Sequence, residues 1–420
     1  MTLSVSKKAT HLIGSEIIKL AGEVNEKIKQ GKKIYNFTIG DFDPAIFPIP
    51  EYLEKLIIEE YQLKQTNYPP ADGVLELRQA VSSFLQSKGN LNYSPNEILI
   101  SGGARPLIYA IYQTLIDPGE KVLFPIPSWN NNHYAYLSDA QCVEIETTAE
   151  NNFMPTAEEI EPHVQDVALI ALCSPLNPTG TVFSADALKK ICDLIINENK
   201  RRGNKQKPLY LMYDQIYWLL TSSEIQHVDP VSLCPEMKSF TIYVDGISKG
   251  FAATGVRVGW TFGPETVIQK MKSLLGHIGA WAPKPEQLAT ARFLMNPSAV
   301  EEYLQHIKFE IQHRLSHFYS GFIQLKKEGF RVDAIQPQGA IYLTIQFNLR
   351  GMKTAEGQIL EKTEDITSYL LNEAGFAIVP FYAFGSQRES SWYRLSVGTS
   401  KKEEIDEVIQ QIKTALIKLS

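Results

Sequence analysis

A lysine that directly follows a buried apolar run is placed for amine chemistry, and Lys249, in DGISKGFAATGVRVGW, is such a lysine. Kept from water, its ammonium form is disfavoured, its pKa falls, and a neutral nucleophilic amine becomes available. A solvated loop lysine is the alternative, the ordinary fate of this residue type. Asp214 follows another apolar run, 209–213, and Tyr217 lies three residues on, a spacing that puts both side chains on one face if a helical turn begins there. A carboxylate buried at a strand end requires a cation or several hydrogen bonds, and the protonated ring nitrogen of a cofactor would satisfy it. An aspartate capping the next helix is the competing reading.

Other residues are suited to holding anions and rings. Gly102-Gly103-Ala104-Arg105 opens a helix after a strand, so free backbone N–H groups and the helix dipole suit a phosphate. Neither a P-loop lysine nor GxGxxG is present there, so a nucleotide is not implied. Arg257, eight residues after Lys249, adds charge for the same anion. Asn177-Pro178-Thr179-Gly180 has the residue types of a type I turn, and its asparagine amide would project from a strand end. Trp129 offers a flat face for a ring, or fills a core. Arg394, in WYRLSVG, lies in an apolar strand, where a guanidinium needs an internal or a substrate carboxylate.

The elements that position these residues follow one grammar: a short apolar run, an abrupt polar or Gly/Pro-rich loop, then a helix-length amphipathic stretch. The runs are 98–101, 121–124, 167–173, 209–213 and 240–244, and their continuous hydrophobicity predicts strands covered on both faces, as in parallel sheets. GGARP, PIPSW, SPLNPTG, DQIY and DGISK follow them in turn. Open parallel α/β sheets bind ligands beyond the carboxyl ends of their strands, so these five followers converge on one predicted site. After residue 295 a long helix over 299–327 gives way to strands over 340–347, 377–379 and 392–397 and helices over 366–373 and 402–419, a separate α+β part. A helix over 14–30 is expected to pack against that part.

Composition removes other classes. The 420 residues carry 41 Lys and Arg against 47 Asp and Glu, a net charge of −6 that argues against binding nucleic acid through phosphate neutralisation. No apolar run reaches the roughly 18 residues of a membrane span, and charged residues interrupt the first twenty, so no membrane partner or signal peptide is expected. Four cysteines without metal-type spacing fit a reducing, cytoplasmic setting.

As an ordered set, NPTG, D-x-x-Y, SK with an arginine eight residues later and a late R-x-S resemble the pyridoxal-phosphate-dependent aminotransferases of fold type I, class I/II, the group that includes aspartate aminotransferase. The resemblance runs from about Ser15 to the C-terminus. It implies an α/β fold: a large domain, 48–297, built on a mostly parallel seven-stranded sheet between helices, and a smaller α+β domain from 1–47 and 298–420. The cofactor implied is pyridoxal 5'-phosphate. Lys249 would form the Schiff base and move the substrate Cα proton, Asp214 would pair with the pyridinium nitrogen, and Tyr217 and Asn177 would bond the phenolic oxygen. Trp129 would stack on the ring, Gly103, Ala104, Arg105 and Arg257 would hold the phosphate with Ser248 as a poorer candidate, and Arg394 beside Gly40 would clamp the substrate α-carboxylate. Tyr68, in NYPPADGVLELR, matches a tyrosine that reaches the phosphate across a homodimer interface.

The activity implied is transfer of an amino group between an L-amino acid and a 2-oxo acid. A carbon–sulfur β-lyase or an α-decarboxylase would use the same lysine, aspartate and asparagine, and a non-catalytic ligand-binding regulator is the reading from another class. Three departures from the family stand out: Gly246 where many relatives have serine, Phe381 in place of the first glycine of P-G-x-x-F-G, and GAWAPKPEQ (279–287) without hydroxyl residues. The first and last bear on the phosphate, Phe381 on a lid. For the substrate side chain, His277 and Lys284 are candidate cations, while Phe42, Trp129, Trp281 and Tyr342 would favour aromatic or large apolar groups.

Overall fold

The computed structural model describes residues 5–12 and 16–420. Thirteen strands lie among the described residues: β1 (Tyr35–Asn36), β2 (Ile98–Ser101), β3 (Lys121–Ile126), β4 (Gln141–Glu146), β5 (Val167–Cys173), β6 (Tyr210–Asp214), β7 (Thr241–Gly246), β8 (Gly259–Phe262), β9 (Val332–Ala334), β10 (Tyr342–Phe347), β11 (Phe376–Ala377), β12 (Val379–Pro380) and β13 (Trp392–Ser396). Seven form one sheet in the order β2-β8-β7-β6-β5-β3-β4. Only β8 runs against its neighbours, β2 and β7, so the sheet is mostly parallel, as expected.

Burial explains why these runs are continuous in hydrophobicity. Ile170, Leu172, Leu211, Tyr213 and Tyr243 enter one apolar cluster, whereas the intervening Leu169, Ala171, Met212, Ile242 and Val244 enter another, so both faces of the sheet are covered. Two strands of this sheet were not predicted from sequence, nor were the short β1 and β9 outside it. β4, QCVEIE, is a largely exposed edge strand whose alternation mimics a loop, and β8, GWTF, is four residues long and follows a glycine-rich turn. The predicted 240–244 run is β7 at 241–246, two residues longer at its carboxyl end, where the segment containing Lys249 follows.

The C-terminal part contains the long helix Pro297–Lys327, whose N-cap Asn296 accepts from the Ala299 amide. It packs on a four-stranded antiparallel sheet ordered β12-β13-β10-β9. The predicted helices over 366–373 and 402–419 are Thr363–Glu373 and Ile405–Ile417. The N-terminal helix is observed as Glu16–Lys29, and its expected start at Gly14 lies outside the described residues. It joins the C-terminal part as expected, since Val24 packs with Leu371 and Ala377, and β1 pairs in parallel with β11. Among the described residues no helix is long and apolar enough to cross a membrane, and no cluster of acidic, cysteine and histidine side chains could hold a metal ion.

Candidate active site

The carboxyl ends of β3, β5, β6 and β7 open onto a cavity of about 820 Å³, into which β10 and β13 of the other sheet also reach. Lys249 sits in the short helix Ile247–Gly250 directly after β7. Its Nζ donates to the Gly40 carbonyl at 2.7 Å. Burial lowers its pKa to about 8; Asp41 opposes this, and the guanidiniums of Arg394, Arg105 and Arg257 add to it. Roughly a tenth to a fifth of the amine is therefore neutral near physiological pH, a few hundredfold more than at the ordinary lysine value of 10.5, which is what a nucleophile or proton carrier requires.

Asp214 is the last residue of β6. Its Oδ1 accepts from the Ile216 amide at 3.0 Å, and burial pushes its carboxyl up to about 6. Among the described residues it has no ion-pair partner, so a cation is the group that would satisfy it. No helix begins at Asp214, contrary to one option read from the spacing: the chain makes a tight turn in which the Trp218 amide bonds the Gln215 carbonyl. Asp214 and Tyr217 nevertheless both line the cavity, while Gln215 and Trp218 line a separate recess of about 1050 Å³ that Lys249, Asp214, Arg257 and Arg394 do not reach. The buried Tyr217 hydroxyl lies 2.5 Å from that of Tyr342.

The glycine-rich segment forms the cradle its residue types suggest. Gly103 is the N-cap of the helix Ala104–Leu115 with φ +92°, and a Cβ there would overlap the Arg257 guanidinium. Arg257 is fixed by bonds to the carbonyls of Gly102 (2.7 Å) and Thr254 (2.9 Å), so cation and helix terminus present one anion-binding corner. The Arg105 side chain does something else: its guanidinium lies 4.5 Å over the ring of Trp129. Buried Ser248 lines the cavity, whereas a side chain at 246 would force the backbone to shift, because a Cβ there would stand 2.8 Å from the Gly259 Cα and 2.9 Å from the Val258 oxygen.

Arg394 is opposite Thr344 of β10 and Val379 of β12, and only 2% of it is exposed. Its Nη1 donates to Asn177 Oδ1 at 3.1 Å and its Nη2 to the Thr38 carbonyl at 2.6 Å. The rings of Tyr342 and Phe384 lie 4.7 and 4.9 Å from the guanidinium carbon. No carboxylate pairs with it among the described residues, and its Nε has no partner, so an anionic ligand is the missing element. Gly40 lies against it: a Cβ there would be 2.9 Å from the Tyr342 hydroxyl and 3.3 Å from Arg394 Nη1. The NPTG segment is not closed as a type I turn on 177–180; the Gly180 amide bonds the Leu176 carbonyl instead, at 2.8 Å, which frees the Asn177 side chain to face Arg394.

Several expected residues fall elsewhere. Tyr68 is 81% exposed and meets Trp281 edge-on at 5.2 Å, outside the cavity of its own chain. His277 and Lys284 do not line the cavity either, and Lys284 is bonded to Asn67. The 279–287 segment supports the anion corner from behind, since the Ala280 carbonyl accepts from the Gly102 amide and the Ser101 hydroxyl. Phe381 is fully buried against Phe153 and Phe384, the second of which stacks on Arg394. Sequence reasoning missed Asp41, His133 and Cys173, which also line the cavity. Cys173 ends β5, the position that the strand-end rule points to, whereas Asp41 lies in a loop after β1, outside the parallel sheet, where that rule gives no signal.

A buried amine, an unpaired carboxylate, an anion corner and a guanidinium clamp around one cavity at the carboxyl ends of a parallel sheet define an enzyme that handles amino acids. The chain belongs to the aminotransferase class I and II family, whose sequence pattern matches residues 32–412. It is 27% identical over 410 residues to the aspartate aminotransferase of Bacillus sp. (strain YM-2), covering 97% of this chain and 98% of that one. It is 25% identical over 418 residues to the probable aspartate/prephenate aminotransferase of Aquifex aeolicus, covering 99% of each. The crystal structure of the Rhizobium meliloti aspartate aminotransferase matches it with a TM-score of 0.91 at 25% identity over all of both chains. The protein is therefore an aminotransferase, of a family that depends on pyridoxal phosphate.

Proposed function

We propose that pyridoxal 5'-phosphate is the cofactor, that Lys249 is its attachment point and the proton carrier, and that a dicarboxylic L-amino acid and a 2-oxo acid are the substrates. The cofactor reading is carried by one observation: the unpaired, buried Asp214 and the anion corner at Ala104 and Arg257, on the helix terminus that Gly103 caps, lie on the same cavity as Lys249. A cationic ring nitrogen suits the first and a phosphate the second. The backbone of Gly103, Ala104 and Arg105 would hold the phosphate with the Arg257 side chain and Ser248, and Trp129 and Tyr217 would contact the ring. Bound there, the cofactor would supply the carbonyl that takes up the amino group and a ring that draws electrons from the bond to be broken.

The chain's own residues then have these tasks. Arg394 and Asn177 receive the substrate α-carboxylate, the guanidinium offering its planar fork. Gly40 leaves room for that carboxylate and its carbonyl orients Lys249 Nζ at 2.7 Å. Nζ takes the Cα proton and returns it, a task for which a pKa of about 8 is suited. The dicarboxylic preference is supported by relatives named for aspartate and by Arg105, a cavity-lining guanidinium without a hydrogen-bond partner among the described residues. The division into 48–297 and 1–47 with 298–420 is supported by the separation of the two larger sheets. A homodimer is supported by the exposure of Tyr68 beside Trp281. Borohydride reduction of the pyridoxal-phosphate-loaded protein, followed by peptide mass mapping, tests the assignment. The added mass is expected on the peptide containing Lys249, and its appearance on another lysine would refute it.

A further inference from the structure

Tyr342 enters the sequence reading only as one of several aromatic residues, yet in the structure it joins three parts of the site. It begins β10 and is fully buried. Its ring lies under the Arg394 guanidinium at 4.7 Å. Its hydroxyl lies beside Gly40 and 2.5 Å from the hydroxyl of Tyr217. The two rings meet edge-on with centroids 5.5 Å apart, which leaves the hydroxyl pair little freedom.

Each phenol has one proton to give. If Tyr217 donates its proton to the cofactor's ring oxygen, as the reading above implies, it cannot also donate to Tyr342. The short contact then persists only if Tyr342 is the donor and the Tyr217 oxygen the acceptor. A phenol that accepts one hydrogen bond becomes a stronger donor of its own, because bonds in a chain polarise one another. Burial holds both phenols protonated, raising each above its ordinary range. The charged and titratable groups facing the pair are Lys249, whose Nζ lies 5.8 Å from the Tyr217 ring, Arg394 from β13, Cys173 from β5 and Asp41 from the Gly40 loop.

We propose that Tyr342 is a positioning residue that acts through Tyr217: its hydroxyl donates to the Tyr217 oxygen, orienting and strengthening the bond Tyr217 gives to the cofactor's ring oxygen. This rests on the cofactor reading above. It concerns the hydroxyl alone and is separate from the support the ring gives to Arg394. Tyr342→Phe removes the one and keeps the other.

The test is a pH titration of the visible absorption of the pyridoxal-phosphate-loaded protein, without substrate, in the wild type, Tyr342→Phe, Tyr217→Phe and the double variant. A weakened bond to the ring oxygen favours its protonated form, so the midpoint moves upward. Tyr217→Phe is expected to raise it by about one to two units, the loss of a hydrogen bond to a charged group. Tyr342→Phe is expected to raise it by about half a unit, a fraction of that bond's strength. In the Tyr217→Phe background the second substitution is expected to add nothing, and the KM for amino acids is expected to change less than about twofold in Tyr342→Phe. An unchanged midpoint in Tyr342→Phe overturns the proposal, and so does a shift that survives in the Tyr217→Phe background. A raised KM with no spectral shift also overturns it, since the hydroxyl would then serve Arg394. A wild-type protein that shows no visible band with pyridoxal phosphate refutes the cofactor reading itself, and the proposal with it.

Discussion

Replacing Arg394 by lysine separates binding of the α-carboxylate from everything else the cavity does. In the structure two of the guanidinium donors are committed, to Asn177 Oδ1 at 3.1 Å and to the Thr38 carbonyl at 2.6 Å, and the plane is flanked by the rings of Tyr342 and Phe384. A lysine ammonium keeps the charge but not the fork or the stacking surface. At least one charged hydrogen bond to the substrate is then lost, worth about 1.5–3 kcal/mol, so kcat/KM for L-amino acids is expected to fall about 10- to 150-fold, chiefly through KM. Steady-state kinetics with a keto-acid acceptor measure this. A primary amine that resembles the amino acid but has no carboxylate provides the control, and its residual turnover is expected to be unchanged in Arg394→Lys. Equal losses for both substrates, or a change below about threefold for the amino acid, would refute the clamp.

Three other outcomes follow from the same geometry. Asp214 has a folded-state pKa raised by burial to about 6 from 3.8, so the cofactor-free protein carries a penalty that is absent below pH 4 and complete above pH 6. Cofactor-free Asp214→Asn is therefore expected to match the wild type at pH 4 and to exceed it by up to about 3 kcal/mol at pH 7 in urea unfolding, while binding pyridoxal phosphate more weakly; equal stabilities at pH 7 would contradict it. Amine labelling of Lys249 in the cofactor-free protein, followed by mass spectrometry, is expected to rise with pH around a midpoint near 8, and a midpoint at the ordinary 10.5 would show that burial does not tune it. Gly246→Ser is expected to destabilise the protein by about 1–3 kcal/mol, because its Cβ would meet the Gly259 and Val258 backbone at 2.8 and 2.9 Å. Thermal melting checks this, and an unchanged midpoint would show that β7 and β8 can separate.

The parallel core was legible because residues of β5 and β6 are buried on both faces and hence apolar without interruption, a pattern that survives in one sequence. β4 was not, because its exposed edge position lets QCVEIE carry polar residues. β8 was hidden because its burial is supplied by neighbours 13 to 164 residues away in the chain rather than by its own length. At the site, Lys249, Asp214 and Arg394 announce themselves as charged residues beside apolar strands, so their convergence in one cavity could be anticipated. Contacts between distant elements could not. The Tyr217–Tyr342 pair spans 125 residues and the Lys249–Gly40 bond 209, and nothing local in either partner signals the other. The same holds for Gly246, whose meaning lies in the backbone of the adjacent strand.

The central claim is that Lys249 serves reversible amino-group transfer rather than elimination. The most direct measurement follows the visible spectrum of the pyridoxal-phosphate-loaded enzyme as aspartate or glutamate is added with no keto acid present, and then as a 2-oxo acid is added. Loss of the initial band with the amino acid, release of one equivalent of its keto acid and return of the band with the 2-oxo acid are predicted, with none of these in Lys249→Ala. A band that persists while ammonia and a keto acid accumulate from a cysteine-like substrate would contradict the account and assign the site to a lyase.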